Sequence, residues 1–136
     1  MSLVLDSSAV LAWVHGDERT TEIEAVFDRV VEKGGIVPHL WHLEVANSLT
    51  VAVRRKRVTQ AFRDDVLKDL AELNISVDGE TAANAWGASV RLADLYGLTI
   101  YDAAYLELTQ RLRLPLATLD LDLAKAARAA GVEVLP

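Results

Sequence analysis

The chain has 136 residues, 51% of them hydrophobic, the size and composition of one compact domain that buries roughly two thirds of its unfolded surface. It has no cysteine, which excludes disulfides, thiolate metal sites and thiol nucleophiles and leaves oxygen or imidazole as metal ligands. A net charge of -6 argues mildly against a nucleic-acid binder, apolar stretches far short of the ~20 residues of a membrane helix, with no basic region before the first strand, point to a soluble, unprocessed protein, and the absence of cysteine is compatible with a cytoplasmic one.

Leu3-Val4-Leu5 reads as a strand, ended by Asp6-Ser7-Ser8 and followed by a helical run from Ala9 to Val14. Thr20 or Thr21 caps a helix through Glu32, with Ile23, Val26, Phe27, Val30 and Val31 on its apolar stripe and Gly34-Gly35 at its end. Ile36-Val37 is a short strand. Pro38 precedes a helix from about Leu40 to Arg57, and a second, from Thr59 to about Leu73, completes a helical hairpin. Ile75-Ser76-Val77 has the pattern of a third strand. A long helix is expected over Glu80 to Tyr96, broken at Gly97, and another from about Tyr101 to Arg113. Pro115 to Leu119 form a strand, Asp120-Leu121-Asp122 open a helix that runs to Ala130 and stops at Gly131, and Val132 to Leu135 form a final edge strand. Strands alternating with helices through single crossovers predict an α/β fold, a three-layer α/β/α sandwich with a central, mostly parallel sheet of about five short strands, and residues 1–136 as a single domain.

Asp6 ends the first strand and Asp120 follows the Leu116 strand. Open parallel sheets bind ligands outside the carboxyl ends of their strands, so two such acids on neighbouring strands face one cleft. Glu44 and Asp102 lie near the starts of helices that cap the same edge. Taken singly, an Asp between strand and helix is most often an N-cap. Glu44 is different, because its helix is apolar nearly all round (Leu40, Trp41, Leu43, Val45, Ala46, Leu49), which implies burial. No Lys or Arg is near it in sequence, so a distant basic side chain or a cation has to compensate it. Hard carboxylates without cysteine or an obvious histidine cluster suit Mg²⁺ or Mn²⁺, and such an ion can activate water against a phosphodiester.

Asp6-Ser7-Ser8-Ala9, Glu44-Val45-Ala46-Asn47, Tyr101-Asp102-Ala103-Ala104-Tyr105-Leu106-Glu107-Leu108 and Leu116-Ala117-Thr118-Leu119-Asp120 occur in the order of the successive motifs of PIN-domain ribonucleases, and the chain resembles in particular the VapC-type toxins. The resemblance implies an RNA-cutting, metal-dependent acidic site, a role as the toxin of a type II toxin-antitoxin pair, a cognate antitoxin and a homodimer. By motif position it implies Asp6, Glu44, Asp102 and Asp120 as the catalytic and metal-binding quartet, with Thr118 and Ser7 as polar neighbours and Asn47 in a supporting role. Asp122 is either an additional metal contributor or the cap of a helix beginning at Leu123.

Arg54-Arg55-Lys56-Arg57 matches a helix C-terminus electrostatically and is also the best candidate for phosphate contact. His39 and His42, three apart, read as surface or capping residues, and Trp13, Trp41 and Trp86 as core or subunit contacts. The Leu40 to Leu73 hairpin offers a groove for an amphipathic antitoxin segment. Two other classes fit the pattern less well. A phosphotransfer domain with Asp6 as nucleophile would carry a second acid where Ser8 stands, and a non-catalytic protein-binding domain would gain nothing from converging acids.

Overall fold

Leu3, Val4 and Leu5 are all fully buried, the signature of a strand covered on both faces. The computed structural model describes residues 1–136. In chain order the elements are β1 (Val4–Leu5), α1 (Ser7–Val14), α2 (Thr21–Lys33), β2 (Gly35–Val37), α3 (Trp41–Arg54), α4 (Gln60–Ala71), β3 (Ile75–Val77), α5 (Thr81–Ala85), α6 (Ala88–Tyr96), α7 (Ile100–Leu112), β4 (Leu116–Ala117), α8 (Leu121–Ala129) and β5 (Val134–Leu135). The five strands are parallel in the order β3-β2-β1-β4-β5, with Val4 opposite Ile36 on one side and Leu116 on the other. β1 is therefore central. The chain builds outward from it in one direction through β2 and β3, then returns and builds in the other through β4 and β5. The helices pack in two groups, α1 to α4 and α5 to α8, which with right-handed crossovers, the rule for parallel strands, cover the two faces of the sheet as the three layers expected from the sequence.

Most elements follow from local chemistry. Thr20, Thr59 and Thr99 cap α2, α4 and α7 by accepting from the backbone N–H three residues on. Gly97 ends α6 in the left-handed conformation that a side chain resists. The expected long helix from Glu80 to Tyr96 is instead two helices, broken at Trp86-Gly87. α5 buries none of its residues fully, so little packing holds that junction helical, and Gly87 leaves the helical region at φ -116, ψ -98. Trp86 is consequently 95% exposed, outside the core. Trp41 is buried, and Trp13 stacks on Phe27 with ring centroids 4.5 Å apart. No helix is long and apolar enough to cross a membrane.

Candidate active site

The direction of building reverses between β1 and β4, and at that point the carboxyl ends of two adjacent strands open a crevice. Asp6 and Thr118 are the residues that follow those strands. The backbone N–H of Asp6 donates to the Ala117 carbonyl at 2.9 Å. Asp6 is 4% exposed, and its Oδ2 accepts from the hydroxyls of Ser8 and Thr118, each at 2.7 Å. Those two hydroxyl oxygens in turn accept from the backbone N–H groups of Leu119 (2.9 Å) and Asp120 (3.1 Å). Every polar atom in this ring has a partner, and the ring ties the start of α1 to the start of α8. Although Asp6 precedes α1, its side chain does not cap that helix. The serine hydroxyl on Asp6 is that of Ser8, not Ser7. Burial pushes the Asp6 carboxyl above its usual range against these hydrogen bonds, and the charge of Asp120 adds to the rise.

Glu44 departs from expectation. α3 buries only Trp41, Val45, Leu49 and Ala52, one face at helical spacing, while Leu43 is 75% exposed and Glu44 is half-buried. An apolar sequence all round the helix did not mean burial all round it. The Glu44 partner is the hydroxyl of Tyr105, a fully buried α7 residue, which donates to Oε1 at 2.6 Å. A phenol satisfies the oxygen without neutralising its charge. Burial raises the Glu44 carboxyl, the Tyr105 hydrogen bond lowers it, and Asp6 raises it again, with a net upward shift.

Asp102 stands in the first turn of α7, its backbone N–H donating to the Thr99 cap at 3.1 Å. The cap is Thr99, so the Asp102 carboxyl has no capping duty. It is pushed up to about 6, first by burial and then by the charges of Asp120, Asp6, Glu44 and Asp122. Five acids from four parts of the chain thus share one electrostatic field. Asp120 does cap: its Oδ1 accepts from the Leu123 N–H at 2.9 Å. α8 begins at Leu121 and not at Leu123, which places the exposed Asp122 in the first turn and corrects its reading as a cap. No three acidic side chains stand at ion-gripping spacing. Like charges spread apart in this way, and the donor set remains all oxygen, the chemistry that suits a hard divalent cation.

Asp78 is the informative contrast. It also follows a strand, β3, and is 6% exposed, but Arg111 reaches its Oδ2 at 2.6 Å. Burial alone would raise its carboxyl; hydrogen bonds from Arg111, the Glu80 N–H and Thr81, with the Arg111 charge, outweigh this and hold it low. Arg111 also binds Glu107 at 2.7 Å and Glu80 at 3.2 Å. This clamp pins α7 to the edge of the sheet and was not read from the sequence, though Glu107 and Arg111 stand four apart on one helix face. The salt bridges of the structure include none to Asp6, Glu44, Asp102, Asp120 or Asp122.

The basic run lies elsewhere. α3 starts beside the acids and ends at Arg54, ten residues beyond Glu44, about 15 Å along the helix. Arg57 pairs with Glu18 at 3.6 Å. His39 and His42 are exposed and take no part in the acidic cluster.

Residues 3–129 match the PIN domain family. Ribonuclease VapC3 of Pyrobaculum aerophilum is 31% identical over 125 residues, covering 92% of this chain and 94% of its own length. Among solved structures, PAE2754 from Pyrobaculum aerophilum superposes with a TM-score of 0.71 at 25% identity, over 98% of this chain and 83% of that one. VapC20 from Mycobacterium tuberculosis, described as a sarcin-ricin loop cleaving toxin, superposes with a TM-score of 0.65 at 20% identity, over 99% of this chain and 100% of that one, and at that identity the likeness is one of fold. By strand order, by the acids at its switch point and by this match over nearly its whole length, the chain belongs to the PIN domain family.

Proposed function

We propose that the protein is a Mg²⁺- or Mn²⁺-dependent endoribonuclease and the toxin of a type II toxin-antitoxin pair. The observation that carries this reading is the placement of Asp6 and Asp120 after β1 and β4, with Glu44 on α3 and Asp102 on α7, as a group of acids that no salt bridge offsets; the Asp102 carboxyl is pushed up to about 6 within it. A protein keeps such a cluster at the expense of stability, and a bound cation is what makes it useful. The relationship to Ribonuclease VapC3 supports RNA as the substrate.

Asp6 and Asp102 would hold the ion directly, Glu44 and Asp120 directly or through water, and the exposed Asp122 would contribute from outside. When bound, such an ion activates water and offsets charge on the phosphodiester. The protein's own residues do the positioning. Ser8 and Thr118 fix the plane of the Asp6 carboxylate, Tyr105 fixes Glu44, and the α8 cap fixes Asp120. Asp6 as a phosphotransfer nucleophile is disfavoured, since two hydroxyls occupy its Oδ2 and Ser8 stands where the second acid would be.

The partners follow the same reading. The apolar cleft between α3 and α4, lined by Trp41, Val45, Leu67 and Leu70, supports docking of an amphipathic antitoxin segment, and the buried Trp41 indole N–H beside it has no partner of its own. Exposed Trp86 and Leu95 support a homodimer. The protein is a single-domain, cytoplasmic enzyme on this reading. Incubating partner-free protein with total RNA tests it: cleavage in Mg²⁺ that stops in EDTA and in Asp6→Asn and Asp102→Asn is expected, and undiminished cleavage by both variants in EDTA would defeat it.

A further inference from the structure

α3 has a second stripe that the core uses only at its start, where Leu40 packs against it. Leu40, Leu43, Glu44 and Asn47 recur at helical spacing on a face turned away from Trp41, Val45 and Leu49, and with Tyr101 they line an open cleft of about 310 Å³. Leu43 is 75% exposed and Tyr101 64% exposed, and the Tyr101 ring stacks on no other ring of the protein. We infer that this cleft seats a nucleobase of the RNA being cut, stacked on Tyr101 and read at its edge by the Asn47 amide. The inference rests on the ribonuclease reading above.

Continuity with the site is the first argument. Glu44 belongs to both the cleft and the acidic cluster, and Tyr101 is bonded to Asp102, so whatever fills the cleft adjoins the group that the acids address. Charge is the second. No Lys or Arg lines the cleft and its one ionisable carboxyl is Glu44, so it repels a phosphate or an acidic peptide and accepts a neutral group that donates hydrogen bonds. The lining itself is the third. A flat aromatic face in a cleft shared with two leucines offers stacking, and a primary amide offers donors and an acceptor, the combination that holds a base by its face and its edge. RNA approaching a cluster of acids gains little from its phosphates, so base stacking, which is indifferent to charge, becomes the main source of grip.

The test is cleavage of a short single-stranded RNA oligonucleotide in Mg²⁺, with the cut bond mapped and the nucleotides around it replaced one at a time by abasic residues. One abasic position should lower wild-type kcat/KM about tenfold or more, mostly through KM. Tyr101→Ala should show the same loss on intact RNA and no further loss at that abasic position. Tyr101→Phe should stay close to wild type, and Asn47→Ala should change which base is preferred there. Because Tyr101 is exposed, the melting temperature of Tyr101→Ala should not move. Tyr101→Ala that cleaves intact RNA like wild type, or that still suffers the full abasic loss, overturns the inference and leaves the ribonuclease reading standing. The same holds if Tyr101→Ala cuts normally but elutes as a smaller species or loses a co-purifying protein, since the cleft would then belong to a protein partner. Wild type that cuts no RNA in Mg²⁺ overturns both.

Discussion

The Tyr105 hydroxyl donates a 2.6 Å hydrogen bond to Glu44, joining α7 to α3 across 61 positions of sequence at the mouth of the crevice. Tyr105→Phe removes the donor and leaves the buried ring. Stability should fall by about 1 kcal/mol, the usual net worth of such a bond. The bond holds the Glu44 carboxyl down, so its loss should raise that carboxyl further and shift the acid limb of RNA cleavage to higher pH. A pH-rate profile identical to wild type would show that the bond plays no part in activity.

Asp102 makes stability depend on pH in the direction opposite to a salt-bridged acid. Its folded-state value of about 6 lies above the ordinary aspartate value of 3.8, so the favourable contribution is complete below the lower value and is lost as pH rises through the upper one. In EDTA, Asp102→Asn should match wild type near pH 4 and exceed it by about 1–2 kcal/mol at pH 7, a figure reduced for the water that reaches this half-buried group. Added Mg²⁺ should narrow the gap by stabilising wild type more. Urea melts across this range measure it, and a variant weaker than wild type at pH 7 would contradict it.

Asp120 has two roles that two substitutions separate. Asparagine caps a helix about as well as aspartate, so Asp120→Asn should retain stability while Asp120→Ala should cost about 1 kcal/mol. Both should lower RNA cleavage by orders of magnitude. Thermal melts and cleavage rates on the pair decide it, and an active Asp120→Asn protein would mean that capping is the only role.

The Arg111 clamp predicts a large loss with no direct contact to the acids. Arg111→Ala leaves Asp78 and Glu107 buried with no counter-charge, which should cost about 3–5 kcal/mol. Asp78 is held low, so its contribution is present above the usual carboxylate range and lost as pH falls through its folded value. Urea midpoints of wild type and variant should therefore lie far apart near neutral pH and converge in acid, and curves that stay parallel would assign the stability elsewhere.

The sheet and the acids were legible because both rest on short-range pattern: apolar runs ended by Asp6 or by Thr118-Leu119-Asp120, and helices opened by threonine caps. Periodicity alone could not say which side of α3 faces the core, so Leu43 read as buried and Glu44 as needing a charged partner. The phenol that serves Glu44 was in plain view in the Tyr-Asp-Ala-x-Tyr stretch, but its pairing is long-range and no local rule supplies it. Asp78 and Arg111, 33 positions apart, were missed for the same reason. At Trp86-Gly87 the apolar pattern continued through a junction where no residue of α5 is fully buried.

Asp6 and Thr118 are separated by 112 positions, yet one hydrogen bond joins them and the two strands behind them share a register. Synthesis runs from the N-terminus, so a nascent chain displays Asp6 long before the strand that completes its surroundings has left the ribosome. During that interval β1 lacks one of its neighbours, α8 does not exist, and the carboxyls have no common crevice in which to meet. The crevice, and any chemistry the acids perform together in it, therefore exists only once the chain has grown past Thr118 and Asp120.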